Sequence, residues 1–245
     1  MADIGYLDDV AASRAGNDYK RALLDILAPT RAHTVLDIGC SPGTDLPALA
    51  ALAGTAIGVD HDPTMVAEAH RRTADLPNVR VLTANAHALP LPDNSIDRAR
   101  TDRVLQHVTS PSAALAELHR VLRPGGYATL AEPDWETLAV DPGALDTGRA
   151  FSRFVRTDVV RNAVVGRQLA RLASEVGLEV RSVGARVPVF REFVEADRIL
   201  GLTRNAERAV VAGRIGRGEA EEWLTALTTG PFLASVVLYV VVVGA

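Results

Sequence analysis

The chain has 245 residues, 48% of them hydrophobic, and a formal net charge of −4. That is enough apolar material for one sizeable core, and the acidic balance excludes a basic field that would gather nucleic acid. Cys40 is the only cysteine, which excludes an intrachain disulfide and a cysteine-based metal cluster.

The N-terminal "MADIGYLDDVAASRAGNDYK" is acidic and amphipathic, without the basic start and apolar stretch of a signal peptide. A cytoplasmic setting is the expectation, in keeping with a lone thiol. From Val35 to about Glu132 the pattern alternates between strand and helix. "HTVLDIG" is a short apolar run of the kind covered on both faces of a sheet, and "DLPALAALA" then has helical spacing up to Gly54. "TAIGVD" is the second strand. Asp62-Pro63 predicts the next helix start, with a capping side chain before a first-turn proline, and that helix carries arginines near its C-terminal end. "VRVLTANA" and the weaker "SIDRARTD" follow as strands. Ser110-Pro111 opens another helix, which stops at "RPGG", and "YATLAEPD" is the fifth strand. Strands separated by roughly 12-residue helices imply right-handed βαβ units and a parallel sheet.

The remaining hundred residues read differently. One or two helices run up to about Glu179, with Gly166 a candidate break, and "VRSVGARVPVF" is a strand. Residues 192–228 look helical, and the C-terminal "FLASVVLYVVVVGA" is very apolar. It has only 14 residues, whereas a membrane-spanning helix needs about 20. Its β-branched run favours a buried strand, so no membrane association is expected. The organisation predicted is a single α/β domain over 1–245. It has an N-terminal helical segment (1–30) and two helical insertions (136–165 and 192–230) that cover one edge of the sheet.

The stretch that carries most chemical information is "VLDIGCSPG", Val35 to Gly43. A dinucleotide loop reads G-x-G-x-x-G, so that a pyrophosphate can approach the backbone. Here the spacing is G-x-x-x-G, and Pro42 removes a backbone N–H. No Gly-Lys-Ser/Thr follows, which excludes a P-loop. The ligand is therefore not expected to be held through phosphates, and Asp37 would repel a pyrophosphate but suit an ammonium group. Asp60, 23 residues further on at the end of the second strand, has the place of an acid that accepts both ribose hydroxyls.

"VLDIGCSPG" resembles the first motif of the class I S-adenosylmethionine-dependent methyltransferases. The order of the later motifs is similar to the ubiquinone/menaquinone C-methyltransferase-like (type 11) group, over about residues 33–135. The resemblance implies a Rossmann-like, doubly wound, mostly parallel seven-stranded sheet with a C-terminal antiparallel strand and a helical cover. It implies S-adenosylmethionine as cofactor and S-adenosylhomocysteine as product. On this resemblance Asp37, Gly39, Cys40, Ser41 and Gly43 meet the methionine part. Asp60 meets the ribose, and His61 and Met65 flank the adenine, although Met65 also reads as ordinary core. In "NAHALP", Asn85 stands where the family usually has Asp and still offers an acceptor oxygen. Ala86 and His87 complete that edge. Thr101 and Asp102 lie where the chain passes the methionine end.

For the acceptor, Arg103, Gln106, His107, Glu132 and Trp135 border the implied pocket, with Tyr6 and Tyr19 on N-terminal helices that fold over the cofactor. His107 is the best general-base candidate, since its unperturbed pKa is about 6.5, and Asp134 is the second. A loop histidine bonded to backbone and a turn-capping aspartate are the competing readings of these two. His119 reads as a packing residue. Arg149, Arg153 and Arg156 share one helix face, and a solvated face competes with attraction of an anion. The reaction expected is methyl transfer to O, C or N of a small organic molecule. Because Lys20 is the only lysine, a secondary-metabolism enzyme from a GC-rich bacterium is the expected setting. A cyclase, or another non-methylating enzyme on the same fold, is the alternative. Neither the acceptor nor a choice between monomer and homodimer follows from the sequence.

Overall fold

The computed structural model describes residues 4, 5, 8, 14–141 and 145–245; Tyr6 lies outside them. The elements in order are α1 (Arg14–Leu27), β1 (Thr34–Ile38), α2 (Leu46–Leu52), β2 (Thr55–Asp60), α3 (Pro63–Arg72), β3 (Val79–Thr83), β4 (Ile96–Asp102) and α4 (Pro111–Val121). Then come β5 (Leu122–Asp141), α5 (Leu145–Phe154), a π-helical turn (Val155–Val159), α6 (Val165–Glu175), β6 (Glu179–Arg186) and β7 (Val189–Phe190). The chain ends with α7 (Phe193–Leu200), α8 (Leu202–Val211), α9 (Arg217–Thr229) and β8 (Leu233–Gly244).

One sheet holds all eight strands, in the order β3-β2-β1-β4-β5-β8-β6, with the short β7 also paired to β8. β1 to β5 run parallel, while β8 runs antiparallel to both β5 and β6. The expected seven strands thus become eight, because "VPVF" adds the two-residue β7. The strand order reverses beside β1, and in open α/β sheets ligands bind outside the strand ends at such a point.

Local chemistry explains the helix starts. The Asp62 side chain accepts from the Thr64 N–H at 2.8 Å, and Pro63 follows; His70, Arg71 and Arg72 occupy the last turn. Ser110 likewise accepts from the Ala113 N–H at 3.2 Å ahead of Pro111. Leu36, Ile38, Ile57 and Val59 pack with Leu115, Leu118 and Leu169 on one side of the sheet. Val35, Ala56 and Val81 pack with Leu46, Leu49 and Val66 on the other. Alternate residues of one strand therefore enter opposite cores, which is why β1 reads as a continuous apolar run.

The helical cover has its own core, built on Phe151, Phe154, Phe190, Leu202, Trp223 and Phe232. Phe151 and Trp223 pack with ring centroids 4.8 Å apart and planes tilted by 43°. Its first helix begins at Leu145, not near 136, because β5 continues to Asp141 and still pairs with β8 (Ala139 with Ser235, Val140 with Ala234). The helical break lies at 160–164, and Gly166 instead serves close packing. A Cβ there would stand 2.5 Å from the Glu132 carbonyl oxygen. His119 bonds the Val176 carbonyl through Nδ1 at 3.0 Å, which is a packing role.

Candidate active site

The loop after β1 is built on left-handed backbone: φ is +74° at Gly39, +51° at Ser41 and +76° at Gly43. The N–H groups of Gly39 and Cys40 both donate to the Val59 carbonyl, at 2.7 and 3.0 Å, which pins the loop across the end of β2. At Gly39 a Cβ would also lie 2.4 Å from a Val104 methyl carbon, so glycine is required twice over.

Asp60 is the second anchor. One carboxylate oxygen accepts from the Ser41 N–H at 2.9 Å and the other from the Asp62 N–H at 2.9 Å. Each oxygen keeps a lone pair, so the group can still accept two hydroxyls. His61 is largely exposed, with Nδ1 at 3.3 Å from Asp60. Met65 is buried on α3.

Several expected cofactor contacts are corrected. Cys40 turns its side chain into the core: a Cβ on Gly58 would stand 2.9 Å from its Sγ. Burial pushes the thiol pKa far up, with Asp37 and Asp60 adding to the rise. The Cys40 N–H is spent on Val59 and its carbonyl accepts the Gly43 N–H at 2.9 Å, so only the second lone pair of that carbonyl remains for a ligand. His87 faces away, its Nε2 lying 3.0 Å from the Ser110 carbonyl and 3.3 Å from the Ser110 nitrogen. The Asn85 side-chain oxygen closes its own turn on the His87 N–H at 3.0 Å, which takes one of its two lone pairs. Ala86 is buried in the core of the α4 side.

Asp37 differs most from expectation. It is buried, and both oxygens are taken by Arg100, which donates from Nε at 2.8 Å and from Nη2 at 2.9 Å. Arg100 also donates to Asp45 at 2.6 Å, and Lys20 reaches the same Asp45 oxygen at 2.8 Å. Burial raises the Asp37 pKa while Arg100 pulls it back. At Asp45, burial is outweighed by Arg100 and Lys20, which hold its carboxyl well below the usual range. The open carboxylate that would hold an ammonium is therefore closed by a guanidinium. A charged residue inside a buried strand, as in "IDRARTD", was the available signal for Arg100.

After β4 the chain turns sharply. Arg103 has φ +58°, a conformation that costs free energy for a residue with a side chain. Its N–H donates to the Ala131 carbonyl at 2.8 Å, its Nε to Asp102 at 3.2 Å, and its guanidinium sits 5.7 Å from the Tyr19 ring centre. The Tyr19 hydroxyl donates to Asp102 at 2.9 Å. Thr101 is buried, and its hydroxyl has no partner.

Glu132 and Asp134 have structural surroundings. Glu132 is fully buried and accepts the N–H groups of Val104 (2.7 Å), Leu105 (2.6 Å) and Gln106 (3.2 Å). Burial pushes its pKa up to about 8 against the pull of those donors. Asn162 clamps the same turn from the far side, donating to the Leu105 and Val108 carbonyls at 2.8 Å each. Asp134 is also fully buried, paired with Arg167 Nε and accepting the Glu136 N–H at 3.1 Å. Both carboxylates are fully buried and neither is among the residues that line the cavity beside them, which disfavours the expected acceptor contacts.

What does line a cavity is the rest of that turn. A cavity of about 180 Å³ is bounded by Tyr19, Arg103, Gln106, His107 and Trp135 on the sheet side and by cover residues such as Val155, Phe190 and Leu200 on the other. Gln106 is fixed by the Trp135 indole N–H (2.8 Å) and by its own bond to the Arg103 carbonyl (3.2 Å). His107 keeps part of its ring open to solvent. Desolvation by the wall and the nearby Arg103 charge still hold its pKa below the ordinary 6.5. Phe190, Val155 and Arg204 escaped sequence reading, because only tertiary packing brings the cover to this edge. Arg149, Arg153 and Arg156 line a different groove with Glu136 and Trp223.

The fold defines an α/β domain with a glycine loop and a buried acid at the ends of its central strands, without a phosphate cradle, beside a mainly apolar cavity. Comparison with known proteins gives the family. Residues 36–130 match the model described as "Methyltransferase domain". The chain is 49% identical over 243 residues to a 37.1 kDa protein in transposon TN4556 of Streptomyces fradiae, covering 98% of this chain and 70% of that protein. It is 34% identical over 119 residues to the demethylmenaquinone methyltransferase of Clavibacter sepedonicus, covering 48% of this chain and 49% of the relative. Matches to named methyltransferases span 38% to 59% of those proteins' own lengths. Among solved structures, a SAM-dependent methyltransferase from Aquifex aeolicus has a TM-score of 0.58 at 22% identity, covering 75% of this chain and 92% of its own. The [4+2]-cyclase SpnF has a TM-score of 0.60 at 18% identity, covering 94% and 81%. The chain belongs to the class I S-adenosylmethionine-dependent methyltransferases.

The residues present fit that cofactor. Asp60 retains acceptor capacity for a ribose, Arg100 Nη1 and Thr101 Oγ1 are buried donors without partners, and the loop lacks the N–H array a pyrophosphate needs. Among the described residues, no group of three His, Cys, Asp or Glu could hold a metal ion, and no helix is long and apolar enough to cross a membrane.

Proposed function

We propose that the protein transfers a methyl group to O, C or N of a small, mainly apolar organic molecule seated between His107 and the helical cover. S-adenosylmethionine, when bound, supplies an electrophilic methyl on a sulfonium; orientation and electrostatics are left to the protein. The observation that carries this reading is the cavity itself. It joins Arg103, Gln106 and His107, on the turn that follows the cofactor strand β4, to a wall of Val155, Phe190 and Leu200. Gln106 and Trp135 hold the acceptor's position, and the cover excludes water. His107, neutral near pH 7, takes a proton from an acceptor that must lose one. Asp60 holds the ribose and the Gly39–Gly43 backbone the methionine part. Modification of a secondary metabolite in the cytoplasm is the setting we favour.

Incubation with methyl-labelled cofactor and a panel of apolar phenols, acids and amines tests this: label must appear in product. A turned-over substrate without label would instead support the cyclase reading, which the fold's likeness to SpnF keeps in view. His107→Gln is expected to lower kcat by roughly 10²-fold or more for an ionising acceptor. It should also flatten the acidic limb of the kcat/KM profile, which in the wild type lies below 6.5 because the folded pKa is lowered. S-adenosylhomocysteine affinity should stay unchanged. Full kcat with an intact acidic limb would show that His107 takes no proton.

A further inference from the structure

We infer that the acceptor is an organic anion: an apolar body seated in the cavity, with an ionised acid group received at the cover by Arg204 on α8. The inference rests on the proposed methyl transfer at this cavity. It goes further by naming the acceptor's charge and the residue that selects it.

The charges that line the cavity are of one sign. Arg103 stands on the sheet side and Arg204 on the cover, and among the described residues no aspartate or glutamate lines it. Arg103 is partly balanced by Asp102, which its Nε meets at 3.2 Å. Most of the remaining wall is apolar, so a cationic guest would meet two like charges and no lining carboxylate. His107 lies in the same field. Burial lowers its pKa first, the charges of Arg103 and His61 lower it further, and no described carboxylate raises it.

The cover brings two polar groups together. α7 and α8 meet at Gly201, where a Cβ would stand 2.9 Å from Arg204 Nη2 and 3.2 Å from Asn205 Nδ2. The missing side chain is what leaves room for guanidinium and amide at one turn. Asn205 is buried and also lines the cavity. Its Nδ2 donates to the Leu200 carbonyl at 3.3 Å, which uses one of two hydrogens. Arg204 is exposed and lines the cavity too, so it stands at the mouth. Its charge acts on a guest whether or not its N–H groups also serve partners in the protein. The arrangement suits an amphipathic acid. The apolar body is desolvated against Phe190, Ile199 and Leu200, while the ionised group stays at the mouth beside a counter-charge and escapes most of the cost of burial.

Three matched probes test this without turnover. Phenylpropanoate, its amide and the phenylpropyl ammonium are titrated calorimetrically into the full chain with excess S-adenosylhomocysteine. A charge-assisted bond at an exposed site lies at the low end of its range, so the acid should bind about 10-fold tighter than the amide, and the ammonium weakest. Arg204→Met should bring the acid to within about threefold of the amide, with the amide's own affinity unchanged. Arg204→Glu should invert the order and favour the ammonium. Equal affinity of acid and amide in the wild type would overturn the inference. So would a preference that survives both substitutions, or no binding of any probe. Failure of methyl transfer is told apart by the label experiment. Acid-selective binding without labelled product would refute methyl transfer alone, whereas neutral acceptors bound and labelled as well as acids would refute the charge selectivity alone.

Discussion

Replacing Glu132 with alanine is expected to cost more than about 3 kcal/mol of stability, because each orphaned buried donor costs about 1–3 kcal/mol and three are orphaned together. The loss should be local in origin. The turn Val104–Gln106 carries two cavity residues beside it, Arg103 and His107, so acceptor binding should fail even where folding is rescued by low temperature. Glu132→Gln keeps the Oε1 acceptor and should lose far less. It also gives a pH signature. Burial raises the Glu132 pKa from the ordinary 4.5 to about 8, so the folded state holds a proton that the unfolded state has released. The raised value means that this stability is fully present below about 4.5 and is lost as pH rises through about 8. Denaturant unfolding at pH 5 and pH 9 should therefore show the wild type losing stability relative to Glu132→Gln. A wild type that gains stability over that interval would contradict the assignment.

The second large effect is at Arg100. Arg100→Met leaves Asp37 buried without a counter-charge and Asp45 with Lys20 alone, and breaking a buried pair in this way costs about 3–5 kcal/mol. K20M/D37N/D45N/R100M, which removes all four charges together, should recover most of that loss, since apolar or neutral replacement of a complete buried cluster is nearly neutral. Equal instability of the single and quadruple variants would show that side-chain packing, and not charge balance, holds this part of the sheet. The measurement is the urea midpoint of each variant at neutral pH.

The parallel half of the fold was legible because its signals are local. Asp62-Pro63 and Ser110-Pro111 fix helix starts through their own backbone, and β1 and β2 are apolar throughout because both faces are covered. The place of Asp60 at the end of β2 was readable for a related reason, since strand end and distance from the glycine loop are chain properties. Misreadings arose where partners are distant in sequence. The identity of the group that engages Asp37 depends on a residue 63 positions away, and Asp134 is closed by Arg167 33 positions away. Cys40 and His87 are polar residues in the right segments, but strand and turn geometry points their side chains to Gly58 and Ser110. The continuation of β5 to Asp141 depends on β8, about a hundred residues later, and local propensity carries no trace of that pairing. The cavity wall has the same origin, since Phe190 and Leu200 reach His107 only through the packing of the cover.

The loop from Gly39 to Gly43, with Asp60, is proposed to hold S-adenosylmethionine and not a phosphate-linked nucleotide. Calorimetry with S-adenosylhomocysteine and with NAD, on the wild type and on Asp60→Ala, tests this. Saturable binding of S-adenosylhomocysteine by the wild type is expected, with loss of about 10-fold or more in affinity in Asp60→Ala as the hydrogen bonds of a charged acceptor disappear, and no binding of NAD. Tight NAD binding with no S-adenosylhomocysteine binding would contradict it.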